Sequence, residues 1–219
     1  MHSDFEDIAD NIAQALTDKG YIILHNAIAQ SLTDALFERA NQLTQADWKS
    51  AGIGRQNSHI VARDIRRDHI YWLDYQHPSE AHYLSWIEQL RIALNRRLYL
   101  GLFDSESHFA VYQPGDFYHK HVDAFRGRSN RLLSVVYYLN PQWGADDGGE
   151  LVIYSGVDSD NKDDTDTVEQ TVLPTGGTMA IFLSENFPHE VLPSGKTRYS
   201  IATWYRVNGN NTATLDVAR

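Results

Sequence analysis

HFAVYQP (108–114), LLSVVYYLN (132–140), ELVIYS (150–155), QTVLP (170–174), TMAIFL (178–183), HEVLP (189–193) and RYSIATWYRV (198–207) follow one another in the second half of the chain. Each run is short, rich in β-branched and aromatic residues, and bounded by turn chemistry. The separators are PGD, NP, GADDGG, a polar stretch at 156–167, TGG and PSGK. Many short strands with regular turn signals predict an all-β sandwich or barrel beginning near Gly101. No internal repeat and no low-complexity tract interrupts them.

Upstream the texture is different. Phe5, Ile8, Ile12 and Leu16 recur at three- and four-residue steps, the period of an amphipathic helix, and Gly20 ends it. YIIL (21–24) then reads as a short strand. A second helix is expected from about Ser31 to Leu43 with Leu32, Leu36 and Ala40 on one face. A longer one is expected from about Ser79 to Leu98 with Leu84, Ile87, Leu90 and Leu94 as its stripe. Residues 50–64 are polar and glycine-containing and read as a loop. The expected architecture is α+β, mainly β: a helical and mixed region over 1–100, a β core over 101–208 and a tail over 209–219, in one structural domain.

Composition narrows the chemistry. The 219 residues carry 19 basic and 29 acidic side chains, a formal charge of -10, which is poorly suited to gripping a phosphate backbone. The absence of cysteine excludes disulfides, thiolate nucleophiles and Cys-ligated metal centres. The acidic, polar start (MHSDFEDIADNIAQAL) lacks the features of a signal peptide, and no apolar run reaches the roughly 20 residues that span a bilayer. A cytoplasmic protein without a membrane span is the expectation; nothing in the sequence speaks to its oligomeric state. The acidic stretch 158–169 resembles a calcium loop only in its charge. It places Lys162 at a ligand position and Asp163 where the tight-turn glycine belongs, so a solvated hairpin loop is expected.

Ten histidines are present, and seven have no companion of the right type nearby. YHKHVD (118–123) does. His121 and Asp123 are two apart, so on an extended segment both point to one face and supply an imidazole and a carboxylate. That is two thirds of a facial triad, the ligand set that suits Fe(II) and leaves positions open. His119 has the same parity, so spacing alone leaves the choice between His119 and His121 open. A third ligand is available in NFPHEV as His189, with Arg198 nine residues later inside an apolar strand. A buried guanidinium requires an anion.

This combined pattern resembles the 2-oxoglutarate/Fe(II) oxygenases of prolyl 4-hydroxylase type, and within them the EGL-nine (hypoxia-factor) prolyl hydroxylases and their bacterial relatives. DIRRDHIYWL (64–73), VYQPGDFYHKHVD (111–123), RLLSVVYYLNPQW (131–143), GGELVIY (148–154), FPHEV (187–191) and TRYSIATWY (197–205) carry the resemblance in order. It implies a double-stranded β-helix, or jelly roll, with N-terminal helices packed on one sheet. It implies that His121, Asp123 and His189 hold Fe(II), with 2-oxoglutarate and O₂ as cosubstrates and succinate and CO₂ as products. It also implies that Arg198 and Tyr138 meet the distal carboxylate of 2-oxoglutarate, and that Tyr112 and Trp204 line its pocket. No protein general base is needed.

Asp68, Arg131 and His119 are placed by the resemblance at the substrate entrance. Asp68 and Arg131 are expected to interact and to order residues 50–68 as a lid. The cluster Lys120, Arg126, Arg128 and Arg131 would make that entrance locally basic. The implied activity is prolyl hydroxylation of a protein or peptide. The alternatives are the same chemistry on a lysyl, small-molecule or nucleobase substrate, or a non-catalytic sensor of metal or 2-oxoglutarate.

Overall fold

A computed structural model describes residues 2–51, 64–124, 130–155 and 167–208. Its elements in chain order are α1 (His2–Asp18), β1 (Tyr21–His25), α2 (Gln30–Gln42), β2 (Lys49–Ser50), β3 (His69–Trp72), α3 (Pro78–Leu98), β4 (Leu102–Tyr112), β5 (Tyr118–His121), β6 (Arg131–Tyr138), β7 (Leu151–Tyr154), β8 (Val168–Val172), β9 (Thr178–Leu183), β10 (His189–Val191) and β11 (Arg198–Val207). The three helices fall within one or two residues of their expected positions. Proline opens α3, where its missing N–H costs nothing, and Tyr99 closes it in the left-handed conformation with its N–H on Asn95 O.

The strands form two antiparallel sheets. The major sheet runs β1-β9-β6-β11-β4-β3-β2 and the minor sheet β5-β10-β7-β8. From β4 to β11 the chain passes from one sheet to the other at every connection except the β7–β8 hairpin and carries alternate strands to opposite layers. This is the double-stranded β-helix. Strands β1, β2 and β3 extend the major sheet; β1 lies where YIIL was expected to be a strand, while β2 and β3 have no counterpart among the expected elements. Residues 156–166 lie outside the described residues, but the strands flanking them pair as a hairpin instead of forming the two helices of a calcium loop.

Strand periodicity divides the interior. Phe109, Leu133, Val135, Tyr137, Met179, Ile181, Ile201 and Tyr205 pack with the helices in one apolar core. Their immediate neighbours Ala110, Val136, Tyr138, Ala180 and Phe182 turn to the space between the sheets. One face of the major sheet is thus sealed by α1 and α3, while the other, with the minor sheet, encloses the barrel. Among the described residues no helix is long and apolar enough to cross a membrane.

Candidate metal and cosubstrate site

The pairing of β5 with β10 builds the centre. His189 stands directly opposite His121 in this antiparallel pair, which brings the two rings within 4.3 Å of each other, centre to centre. The strand ends at His121, and Asp123 reaches the same point from a bend just beyond it, not from the extended segment that the spacing suggested. His121 Nε2 lies 3.7 Å from Asp123 Oδ1, and His189 Nε2 lies 3.7 Å from Oδ2. One ligand atom from each residue falls within 4.8 Å of the other two. His119, the other candidate by parity, is exposed and packs against the Phe117 ring, tilted to it, at 4.4 Å.

Hydrogen bonds prepare these side chains for a cation. His121 Nδ1 lies 2.8 Å from His119 O, and His189 Nδ1 lies 3.0 Å from Phe187 O. A carbonyl only accepts, so each Nδ1 carries the proton and each Nε2 keeps a lone pair for a metal. Burial and the neighbouring His121 lower the His189 pKa to about 4, so this ring is neutral at ordinary pH. Burial opposes ionisation of Asp123. His189, His121 and the Ser134 hydroxyl nevertheless hold its carboxyl well below the usual range. Two imidazoles and one carboxylate on one side of a shared point form a set that fits Fe(II) with open positions.

Arg198 opens β11 and is almost wholly buried. Its Nε donates to Gly149 O at 2.9 Å and its Nη1 to Ser200 Oγ at 3.3 Å, but Nη2 has no partner. The rings of Tyr112 and Tyr138 flank the guanidinium at 4.9 and 5.0 Å. Tyr138 OH is also buried without a partner, and burial raises its pKa to about 12. Two unsatisfied donors beside one another inside a barrel are costly unless an acceptor arrives. A carboxylate satisfies both, so the pocket fits the distal end of 2-oxoglutarate. Gly149 is needed here, with φ at +74° and a Cβ that would fall 2.8 Å from Ser194 Cβ and 3.2 Å from Arg198 Cδ.

Other expected residues sit differently. Trp204 shares the inward face with Arg198 but is six residues along the strand, about 20 Å away. It packs under Arg131, at 3.6 Å, and beside His108, at 5.1 Å, in register with Ser134 on β6. Asp68 and Arg131 do not pair with each other. Asp68 holds Arg66 through two contacts of 2.7 and 2.5 Å, whereas Arg131 holds Glu106 at 2.7 Å. Arg66 in turn covers the Tyr118 ring at 4.3 Å, and Tyr118 stacks on His121 at 3.5 Å. Asp68 therefore reaches the metal ligands through Arg66 and Tyr118. It also lines a cleft of about 270 Å³ with Ser50, Arg67, His69 and Asp116. Residues 52–63 of the expected lid, and Arg126 and Arg128, lie outside the described residues. Lys120 packs over Tyr154.

Three residues with a bearing on the site escaped the sequence reading. Ser134 donates to Asp123 Oδ2 at 2.6 Å. His108 is buried between Trp72 and Trp204 with Nδ1 unpartnered. Arg66 is the third. Ser134 is a polar residue inside LLSVVYY with the parity of Tyr138, and His108 has the parity of Tyr112. That period-two signal was available.

A family model described as the 2OG-Fe(II) oxygenase superfamily matches residues 107–206. The chain belongs to this superfamily, and its enzymes use Fe(II), 2-oxoglutarate and O₂, as the chain does. Its place there is with the prolyl hydroxylases. It is 31% identical over 215 residues to mouse prolyl hydroxylase EGLN3, covering 94% of this chain and 86% of that protein. Among solved structures it is similar to a Pseudomonas putida prolyl-4-hydroxylase, with TM-score 0.80, 34% identity and coverage of 92% of this chain and 100% of the other. It is also similar to a Trichoplax adhaerens prolyl hydroxylase in complex with a hypoxia inducible factor peptide fragment. That match has TM-score 0.80, 26% identity and coverage of 93% and 91%.

Proposed function

We propose that the protein hydroxylates prolyl residues of a protein substrate, with iron on His121, Asp123 and His189. Arg198 and Tyr138 hold the distal carboxylate of 2-oxoglutarate. The observation that carries this reading is the pair of orphaned donors, Arg198 Nη2 and Tyr138 OH, in the same barrel as the three converging ligands. A non-catalytic sensor would share the metal ligands; the similarity to prolyl hydroxylases over more than nine tenths of the chain, 94% and 92%, favours the enzyme.

When bound, iron and 2-oxoglutarate supply the oxidising chemistry, in which decarboxylation to succinate and CO₂ accompanies transfer of one oxygen atom to a substrate C–H bond. The chain's own part is placement. Nδ1–H bonds to His119 O and Phe187 O hold the two imidazoles in the ligating tautomer. Arg198 fixes the distal end of the cosubstrate, and the apolar walls from Tyr112, Tyr138 and Phe182 exclude water from it.

At the other end of the inward face, Trp72, His108 and Trp204 form an aromatic wall, capped by Arg131 over Trp204. A proline ring is apolar and flat-sided and suits such a wall. The Trichoplax enzyme, solved with a peptide fragment, supports a peptide as the substrate class. The test is succinate formation from 2-oxoglutarate with Fe(II) and O₂, then proline-bearing peptides analysed by mass spectrometry. A gain of one oxygen on proline is the expected result. Succinate without oxidised proline, coupled instead to a small molecule, would overturn the substrate assignment.

A further inference from the structure

Ser134 is the polar residue in the otherwise apolar first half of LLSVVYY, and its hydroxyl is fully buried. Its Oγ donates to Asp123 Oδ2 at 2.6 Å and lies 2.8 Å from the Oγ of Ser184, itself fully buried. A serine has one proton to give. Because Ser134 gives its proton to the carboxylate, the proton in the second contact comes from Ser184. The two hydroxyls thus form a directed relay, from Ser184 to Ser134 to Asp123.

The relay spans the site. Ser134 lies on β6, inside the major sheet between β9 and β11, opposite Trp204 on β11. Ser184 follows β9, is held by its N–H on Leu132 O at 3.0 Å, and stands five residues before His189. Both ligand-bearing segments of the minor-sheet side are therefore referred to one rigid strand. The relay is also selective between the two carboxylate oxygens. Oδ2 accepts from Ser134 and lies 3.7 Å from His189 Nε2, while Oδ1 has no serine on it and lies 3.7 Å from His121 Nε2.

A carboxylate can occupy one position on a metal or two. With two imidazoles and a two-pointed cosubstrate already in place, an octahedral ion keeps its last position only if Asp123 takes one. We propose that Ser134, backed by Ser184, is a positioning residue that restrains Oδ2 so that Asp123 binds through Oδ1, which keeps the O₂ position free. This rests on the iron site described above. Hydrogen bonding to a ligand from behind typically changes metal affinity or activity 10- to 100-fold, roughly the scale expected here.

The test uses nitric oxide as an EPR-visible stand-in for O₂ on anaerobic protein loaded with Fe(II) and 2-oxoglutarate. Ser134→Ala is expected to weaken nitric oxide binding by about 10-fold or more. It should leave 2-oxoglutarate affinity, read from the visible charge-transfer band of the Fe(II) chelate, within about threefold, because Arg198 is untouched. Ser134→Thr, which keeps the hydroxyl, should restore binding, and Ser184→Ala should weaken it less than Ser134→Ala. Wild-type nitric oxide affinity in Ser134→Ala overturns the proposal while leaving the iron site standing. Equal loss in Ser134→Thr also overturns it, since packing and not the hydroxyl would then be responsible. No charge-transfer band in the wild type overturns both the proposal and the iron site.

Discussion

Replacing Tyr138 with phenylalanine is expected to stabilise the empty protein and to weaken its hold on 2-oxoglutarate. The Tyr138 hydroxyl is fully buried beside the Arg198 guanidinium with no partner in good hydrogen-bonding geometry, and an orphaned polar group of this kind costs about 1–3 kcal/mol. Deleting it should recover about 1 kcal/mol, which raises the melting temperature of a chain this size by about 2–4 °C. In the complex the same hydroxyl donates to a carboxylate. Losing a hydrogen bond to a charged group costs about 1.5–3 kcal/mol, so Kd should rise about 10- to 150-fold. Tyr137 provides the internal control. It is the preceding residue, equally buried, but its hydroxyl is 2.5 Å from Thr33 Oγ1 on the helix side. Tyr137→Phe should lower the melting temperature by a similar amount and leave cosubstrate affinity alone. Thermal melts in metal-free buffer, repeated with Mn(II) and a titration of 2-oxoglutarate, read both quantities. If Tyr138→Phe melts lower and keeps its ligand-induced shift, the hydroxyl is structural and the cosubstrate pocket is misplaced.

Arg198→Lys keeps the charge but loses the two-pronged geometry, so KM for 2-oxoglutarate should rise about 10- to 100-fold in a succinate assay. His189→Ala removes a ligand outright, and Mn(II) affinity measured by EPR should fall at least about 100-fold, beyond the range of second-layer changes. For His108, burial and then the nearby Arg66 and Arg131 lower the pKa from 6.5 to about 3, so the folded protein resists protonation there. Its contribution to stability is complete above pH 6.5 and is lost as pH falls toward 3, with about 2 kcal/mol gone by pH 5. Urea denaturation of His108→Phe should show a pH 7 to pH 5 loss smaller than wild type by that amount; equal losses would refute it. Asp68→Ala leaves the Arg66 guanidinium buried beside Tyr118 without its partner and should destabilise by about 3 kcal/mol in the same assay.

Much of the centre was legible because strands repeat every two residues and helices do not. Arg198 and Tyr138 stand out as polar groups at inward positions of apolar strands, and His121, Asp123 and His189 as ligand types near strand ends. What spacing could not show is register. His119 and His121 have equal parity, and only the pairing of His189 with His121 across β5 and β10 separates them. Partner choice was also hidden. Asp68 bonds the arginine two residues before it, a local pairing that an extended segment permits, while Arg131 turns to Glu106. Trp204 shows the same limit: its parity with Arg198 gives its face, but not its neighbours, which are Arg131 and His108.

The same period explains how one sheet can be both stable and reactive. Along β6 the residues Leu133, Val135 and Tyr137 face the helices, and Ser134, Val136 and Tyr138 face the barrel. The helix side is almost entirely apolar, and where it holds hydroxyls they are matched, as in Tyr137 with Thr33 and in Tyr83 with Thr203 and Ser107. The barrel side carries all three unsatisfied buried atoms found among the described residues: His108 Nδ1, Tyr138 OH and Arg198 Nη2. Those groups destabilise the empty protein, and the helix-backed core offsets them. Because the two faces share a backbone but not a core, substitutions on the barrel face can gain stability by losing function, whereas those on the helix face have nothing comparable to gain. Paired stability and ligand-binding measurements should therefore separate alternate residues of a single strand.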